Sequence, residues 1–260
     1  MNGPDAATWR RLLRRSPADA GLSPLYGPLL TGGRPGDRPG DRQSDRLVLG
    51  RIAQSLDGRI ATTSGASRWI SGPEDIAHTH RLRALFDAVV VGARTVRADD
   101  PKLTTRAVEG PSPVRVVLDP RRRLDARFQV FQDGPETLVL CAEDAPGPDR
   151  LGHAHIVPLP HAGDALCPDA ILATLAARGL HRVFVEGGGV TVSRFLAAGA
   201  LDRLHVTIAP LLLGEGVPAF CLPPAASLAE APRFDWTVHR LGADVLLDIR
   251  LPPRPGAMPP

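Results

Sequence analysis

The stretch that decides the fold reads VFVEGGGVTVSRFLAAGA, residues 183–200. A β-branched and aromatic run passes directly into three glycines, then into a helical pattern ended by Gly199. A strand that delivers glycine to a helix start is the βα turn of an open α/β sheet. The first amides of such a helix are unpaired and carry partial positive charge, and glycine lets a phosphate come close to the backbone. The spacing is not GxGxxG and lies late in the chain, so the standard dinucleotide fingerprint is absent. Two readings of Gly187, Gly188 and Gly189 stay open: a pyrophosphate site, or a glycine-rich tight turn without a ligand. Glu186, at the strand's carboxyl end, is either a ligand group or a solvated loop carboxylate.

Working outward, short β-rich runs alternate with helical stretches. Strands are expected at 47–53, 88–91, 114–119, 137–141, 155–159, 181–186 and 204–208. Helices are expected up to about Leu85, over 168–178 and over 190–198. The first of these opens on a capping box of Ser71 and Glu74, with Pro73 inside its first turn. Segments 235–240 and 244–251, joined by Leu-Gly-Ala, read as a closing hairpin. The fold class is therefore α/β: a mostly parallel central sheet, helices on both faces and an antiparallel C-terminal hairpin. Residues 46–252 form one domain, with a short tail at 253–260. In front of it, residues 6–15 suit a short helix with Trp9, Leu12 and Leu13 on one face, packed on the main domain or on a partner subunit. The stretch TGGRPGDRPGDRQSD at 31–45 reads as a flexible linker, so 1–45 is an extension plus linker.

Composition narrows the function. Of 260 residues, 43% are hydrophobic and 23% charged, which is globular. No apolar run approaches the ~20 residues that cross a bilayer, and no h-region marks a secretory signal. Cys141, Cys167 and Cys221 are odd in number and well separated, which excludes a disulfide scaffold and a thiolate zinc site and suits a reducing cytoplasm. The net charge is only +3, Lys102 is the single lysine and aromatics are scarce, so no nucleic-acid platform is expected. No metal site is expected either. His78 and His80 fall on different faces of their helix, His153, His155 and His161 read as surface residues, and the zinc motif of nucleobase deaminases is missing.

Two polar stretches complete the inventory. ARTVRADDPKLTTR (93–106) reads as one loop holding Thr95, Asp99, Asp100, Thr104, Thr105 and Arg106. Its paired carboxylates suit acid–base work or a turn cap, and Arg106 suits a phosphate fork; the alternative is a mixed-charge surface loop. QSLDGRIATTSGASRWI (54–70) reads as a turn and loop with a buried Trp69, and Arg81 and Arg83 beyond it read as solvated charges.

Taken together and in order, QSLDGRIAT, SRWISG, HRLRALFDAVVVGARTV, ADDPKLTTR, VRVVLD, VFVEGGG and LHVTIAPLLLG resemble the reductase domain of the bacterial riboflavin-biosynthesis deaminase–reductase family. The resemblance covers about residues 46–221 and implies a dihydrofolate-reductase-like fold in a stand-alone form. It implies NADPH-dependent reduction of a phosphoribosylamino-pyrimidine to the ribitylamino compound, by hydride addition to a ring-opened imine. Carried over by motif, Ser67, Arg83, Leu103, Arg106 and Glu186 face the substrate, with Arg83 and Arg106 on its 5′-phosphate. Gln54, Trp69, Thr95 and Asp99 line the cofactor, with Gly187, Gly188 and Gly189 beneath its pyrophosphate. Glu186 and Asp99 are the two candidates for the catalytic acid. The family also implies a homodimer, expected here through the apolar positions of the closing strands: Val206, Ile208, Val245, Leu247 and Ile249. Arg94 and Pro120 depart from the family pattern, and Arg121, Arg122 and Arg123 offer a compensating contact to the 2′-phosphate. Two rival functions stay open: a dihydrofolate-type reductase and a non-catalytic nucleotide-binding paralogue.

Overall fold

The computed structural model describes residues 3–32, 46–68, 70–162 and 165–252. Its elements run α1 (Ala6–Leu12), β1 (Leu47–Ser55), β2 (Arg59–Thr62), α2 (Pro73–Leu85), β3 (Ala88–Gly92), α3 (Ala93–Asp99), β4 (Val114–Leu118), β5 (Thr137–Ala142), β6 (Arg150–Leu151) and β7 (Ala154–Leu159). There follow β8 (His161–Ala162), β9 (Ala165–Leu166), α4 (Pro168–Ala176), β10 (Arg182–Glu186), α5 (Gly189–Ala197), β11 (Arg203–Ala209), β12 (Gly216–Pro218), β13 (Trp236–Leu241) and β14 (Asp244–Arg250).

Ten strands make one sheet in the order β13-β14-β11-β1-β10-β3-β4-β5-β7-β6. From β11 to β7 every neighbour is parallel, while β14, β13 and β6 close the edges antiparallel. The expected fold class is the one found. Strand β3 is apolar along its length because both sheet faces are covered. Val89 and Val91 join Phe184 in a core under α2 and α3, whereas Ala88 and Val90 join Val183 and Val185 in a second core under α4 and α5. The linker stretch 33–45 and the tail 253–260 lie outside the described residues.

Three local expectations need correction. The stretch 93–106 is not one loop: Ala93–Asp99 is helix α3, capped by Gly92 and ended by Asp100 in the left-handed region. A single buried apolar anchor, Val96, left no periodic signal to read. The capping box does not form, since Gly72 is the N-cap of α2 and makes no side-chain cap. The Ser71 hydroxyl goes to Asp75, and the Gly72 N–H donates to the Asp244 carboxylate at 2.7 Å. Finally, β2 and β12 pair as a small separate ribbon that the sequence pattern did not mark.

Helix α2 carries the main departure from simple patterning. Its buried residues include Asp75, His78, Thr79, His80 and Arg83 beside Leu82 and Leu85. A buried polar stripe must find partners or lose its hydration at a cost. Arg51 of β1 and Thr207 of β11 take the Asp75 carboxylate, and His78 meets His205 of β11 at 3.1 Å. The N-terminal segment adds to the same core through Trp9, Leu12, Leu25, Tyr26, Leu29 and Leu30.

Candidate active site

Parallel strands β10 and β3 are neighbours and their carboxyl ends open into α5 and α3. Open α/β sheets carry their ligands at this edge. The two turns lie against each other. A Cβ at Gly188 would sit 2.7 Å from Thr95 Oγ1 of α3, and one at Gly92 would sit 2.6 Å from Thr191 Oγ1 of α5. Gly188 has φ +71°, a left-handed conformation that side chains disfavour. Gly189 answers a different need: its missing side chain admits the carbonyl oxygens of Pro218 and Ala219 at 2.7 and 2.5 Å from an added Cβ. One glycine of the triplet thus serves packing, and Gly187 and Gly188 shape the turn.

Glu186, the last residue of β10, lies on the α2 side of the sheet with Phe184. It does not project into solvent. Arg83 grips it with two bonds, Nε to Oε2 at 2.8 Å and Nη2 to Oε1 at 2.5 Å, and Arg83 Nη1 donates to the Thr104 carbonyl at 2.9 Å. Arg83 is buried, so its reading as a solvated charge is wrong. Burial alone raises the pKa of a carboxyl, yet the Arg83 charge and hydrogen bonds, with Arg51 beyond them, outweigh it and hold Glu186 below its ordinary value. Glu186 is therefore an ionised acceptor at neutral pH, which counts against it as the catalytic acid and leaves Asp99 of the two candidates.

His80, one turn before Arg83 on α2, accepts the Arg106 backbone N–H at Nδ1, 3.1 Å away. Burial, then Arg83 and Arg106, push its pKa down to about 4, so the ring is neutral. That bond turns the Arg106 loop toward Arg83, and partial burial with Arg83 beside it lowers the pKa of the Arg106 side chain. Leu103 in the same loop is buried and has φ +55°, a strained conformation for a branched residue of roughly 1–3 kcal/mol. Ser67 donates to Asp99 Oδ1 at 2.7 Å, joining the loop before α2 to the end of α3.

The structure thus brings Arg83, Arg106 and Glu186 into one cluster with Leu103 beneath the same loop. Ser67 and Asp99 form a second pair. Thr95, Gly187, Gly188 and Gly189 share the glycine turn, and Gln54 stands half-buried near the carboxyl end of β1. Trp69 lies outside the described residues. Sequence reasoning missed His80, Arg51 and Asp75, whose spacing along a helix and a buried strand suited solvated or structural roles. The polar positions 75, 78, 79 and 83 do repeat at helical intervals, and that periodicity was the available signal for Asp75, while nothing in the pattern marked His80 or Arg51. Arg81 is half-buried with its guanidinium 5.8 Å from the ring centres of both Trp9 and Tyr26, again unlike a solvated charge.

A cavity of about 470 Å³ lies at the carboxyl ends of β4 and β5. Arg121, Arg123, Asp144 and His161 line it, and Arg122 is turned away onto the Pro148 carbonyl. His161 is half-buried and 3.4 Å from Asp144. Among the described residues no cluster of three metal-ligating side chains occurs, and no helix is long and apolar enough to cross a membrane.

Residues 46–239 match the family model described as RibD C-terminal domain. The chain is 39% identical over 170 residues to the 2,5-diamino-6-ribosylamino-4(3H)-pyrimidinone 5′-phosphate reductase of Methanothermobacter thermautotrophicus, covering 62% of this chain and 76% of that one. It is 32% identical over 225 residues to the riboflavin biosynthesis protein RibD of Escherichia coli, covering 76% and 58%. A solved deaminase/5-amino-6-(5-phosphoribosylamino)uracil reductase from Thermotoga maritima superposes with a TM-score of 0.68 at 28% identity, over 90% of this chain and 61% of that one. The chain spans about half the length of the RibD relatives it matches. Sheet order, glycine turn and family match agree, and the chain belongs to the RibD C-terminal domain family.

Proposed function

We propose that this chain reduces a 5-phosphoribosylamino-pyrimidine to its ribitylamino counterpart with NADPH, in riboflavin or a related biosynthesis. The carrying observation is the cluster of Arg83, Arg106 and Glu186 beside the glycine turn. Such a cluster suits a ligand with a phosphate at one end and a site of positive charge at the other. The turn fits a pyrophosphate. Added Cβ atoms at Gly188 and Gly92 would fill a cradle walled by the Thr95 and Thr191 hydroxyls, at the start of α5. When bound, NADPH supplies the hydride that converts the imine of the ring-opened ribosylamine to an amine.

The chain's own groups prepare that step. An imine accepts hydride most readily with a proton on nitrogen, drawn from water, and the resulting positive charge needs a counterion. Glu186, kept ionised by Arg83, supplies it. Arg83 uses three of its N–H groups on Glu186 and Thr104, and its two remaining donors face the substrate phosphate together with Arg106. Asp99 accepts the Ser67 hydroxyl and so fixes it for the substrate, while Gln54, Thr95 and Asp99 line the cofactor. Arg121 and Arg123, at the cavity beyond β4, read the 2′-phosphate; their double alanine variant is expected to narrow the preference for NADPH over NADH.

Two further properties belong to this reading. The free thiols Cys141, Cys167 and Cys221 suit a reducing cytoplasm. The sheet end suits a homodimer, though not through Val206 and Ile249, which the chain itself buries: Trp236 and Val238 of β13 are more than half exposed, opposite Ile249 and Leu247 of β14. The decisive experiment is anaerobic NADPH oxidation against the deaminated and the diamino phosphoribosyl pyrimidines and against dihydrofolate. Turnover of a phosphoribosyl pyrimidine is expected, and turnover of dihydrofolate alone would overturn the proposal.

A further inference from the structure

Residues 3–32 lie outside the stretch matched by the family model, and the catalytic reading uses none of them. We infer that this segment is a brace that sets the position of the 101–113 loop, with Trp9 as a positioning residue for Arg106. The inference rests on the reading that Arg106 meets the substrate phosphate.

The loop is held from two sides. On its inner side, α2 takes the Arg106 N–H on His80 and gives an Arg83 N–H to the Thr104 carbonyl. On its outer side stands α1, opened by an Asp5 cap that accepts the Thr8 N–H at 2.8 Å. Trp9 is buried, and its Nε1 donates to the Glu109 carbonyl at 2.7 Å. Arg10 adds a pair to the Glu109 carboxylate at 3.0 Å, which is exposed and contributes little. One residue on, the backbone passes between the two helices with no room to spare. A Cβ at Gly110 would lie 2.7 Å from Ala84 Cβ of α2 and 3.1 Å from Leu13 Cδ2 after α1.

The brace is itself tied to α2. Arg81 lies against the rings of Trp9 and Tyr26, and the Tyr26 hydroxyl shares a hydrogen bond with His78 Nδ1 at 2.9 Å. Helix α2 and the far side of the loop therefore share one frame, and the gap between Arg83 and Arg106 is fixed by it. The Thr105 N–H to Ser112 Oγ bond at 3.0 Å closes the loop and carries the constraint from Gly110 back to Arg106.

Trp9→Phe in the full chain keeps a ring against Tyr26 and Arg81 and removes the N–H together with part of the indole's buried volume, so the β3 amides serve as the control for loosening. Two measurements read the result: hydrogen exchange of the Arg106 and Thr105 amides, and calorimetric titration with ribose 5-phosphate. Exchange at those amides is expected to quicken about three- to tenfold, with the amides of β3 unchanged. Ribose 5-phosphate is expected to bind several-fold more weakly, with NADPH affinity at the wild-type value. Unaltered exchange at Arg106 overturns the brace, as does an equal acceleration in β3, which marks general loosening. Faster loop exchange with unchanged ribose 5-phosphate binding upholds the brace and instead removes Arg106 from the phosphate.

Discussion

Arg106→Ala separates substrate recognition from stability. The residue is largely exposed, with only part of its guanidinium covered, and the bond that places it runs from its backbone N–H to His80, which alanine keeps. Loop geometry and folding should therefore survive, with a melting shift within about 2 °C, as for surface changes of ~0.5 kcal/mol. What is lost is a guanidinium aimed at a phosphate, at about 1.5–3 kcal/mol for charge-assisted bonds. Part of this is offset, because Arg106 and Arg83 repel each other in the free protein. The expected net effect is a rise in KM of about ten- to fiftyfold, at 1.4 kcal/mol per decade. The assay is steady-state kinetics of wild type and variant on the phosphorylated substrate and its dephosphorylated form. The variant should lose on the first and change little on the second. Equal losses on both substrates would make Arg106 structural and end the phosphate assignment.

Arg83→Ala should behave differently, because it strands an ionised Glu186: thermal unfolding should show a loss of about 3–5 kcal/mol, largely recovered in Arg83→Met/Glu186→Leu. Equal losses in the single and double variants would show that the pair is uncoupled. His80 has a native pKa of about 4 against an ordinary 6.5, so the unfolded chain binds its proton first as pH falls. Stability should be full above about pH 6.5 and decline toward pH 4, and urea titrations should show a shallower decline in His80→Gln; an unchanged slope refutes this. Gly188→Ala forces a side chain into φ +71° and against Thr95, so NADPH affinity by calorimetry should fall at least tenfold. Unchanged binding in a folded variant would move the pyrophosphate elsewhere. Light scattering at micromolar concentration should give a dimer that Trp236→Glu/Val238→Lys dissociates, and a monomeric wild type rules the interface out.

The parts of the fold that sequence patterning revealed are those where burial and residue type agree. Strand β3 and the β10–α5 turn announce themselves because valine runs and glycine triplets leave few other readings. Helix α3 was hidden because it buries one valine. The site was hidden for a related reason: His80 and Arg83 are polar residues in a buried stripe, and hydrophobic periodicity assigns such residues to solvent. Their partners, Thr104, Arg106 and Glu186, are supplied by segments distant in the chain. Motif resemblance could name Arg83 and Glu186 but could not show that they hold each other.

Strand β1 occupies the middle of the sheet, yet both of its neighbours arrive late. Leu47 pairs with Arg182, Leu49 with Arg203, and the Val48 N–H bonds to Asp202, 154 residues further on. At ~5–20 residues per second, a ribosome needs about 8–30 s to make that intervening chain. Through that interval a nascent segment reading LVLGRIA has no strand on either side and its apolar residues are uncovered. The central register can close only when β10 and β11 have emerged, so the sheet cannot form as its first strands are made and its contact order is high. Prematurely terminated chains ending before β10 are therefore predisposed to aggregate, and chaperone dependence should be concentrated between the emergence of β1 and that of β10.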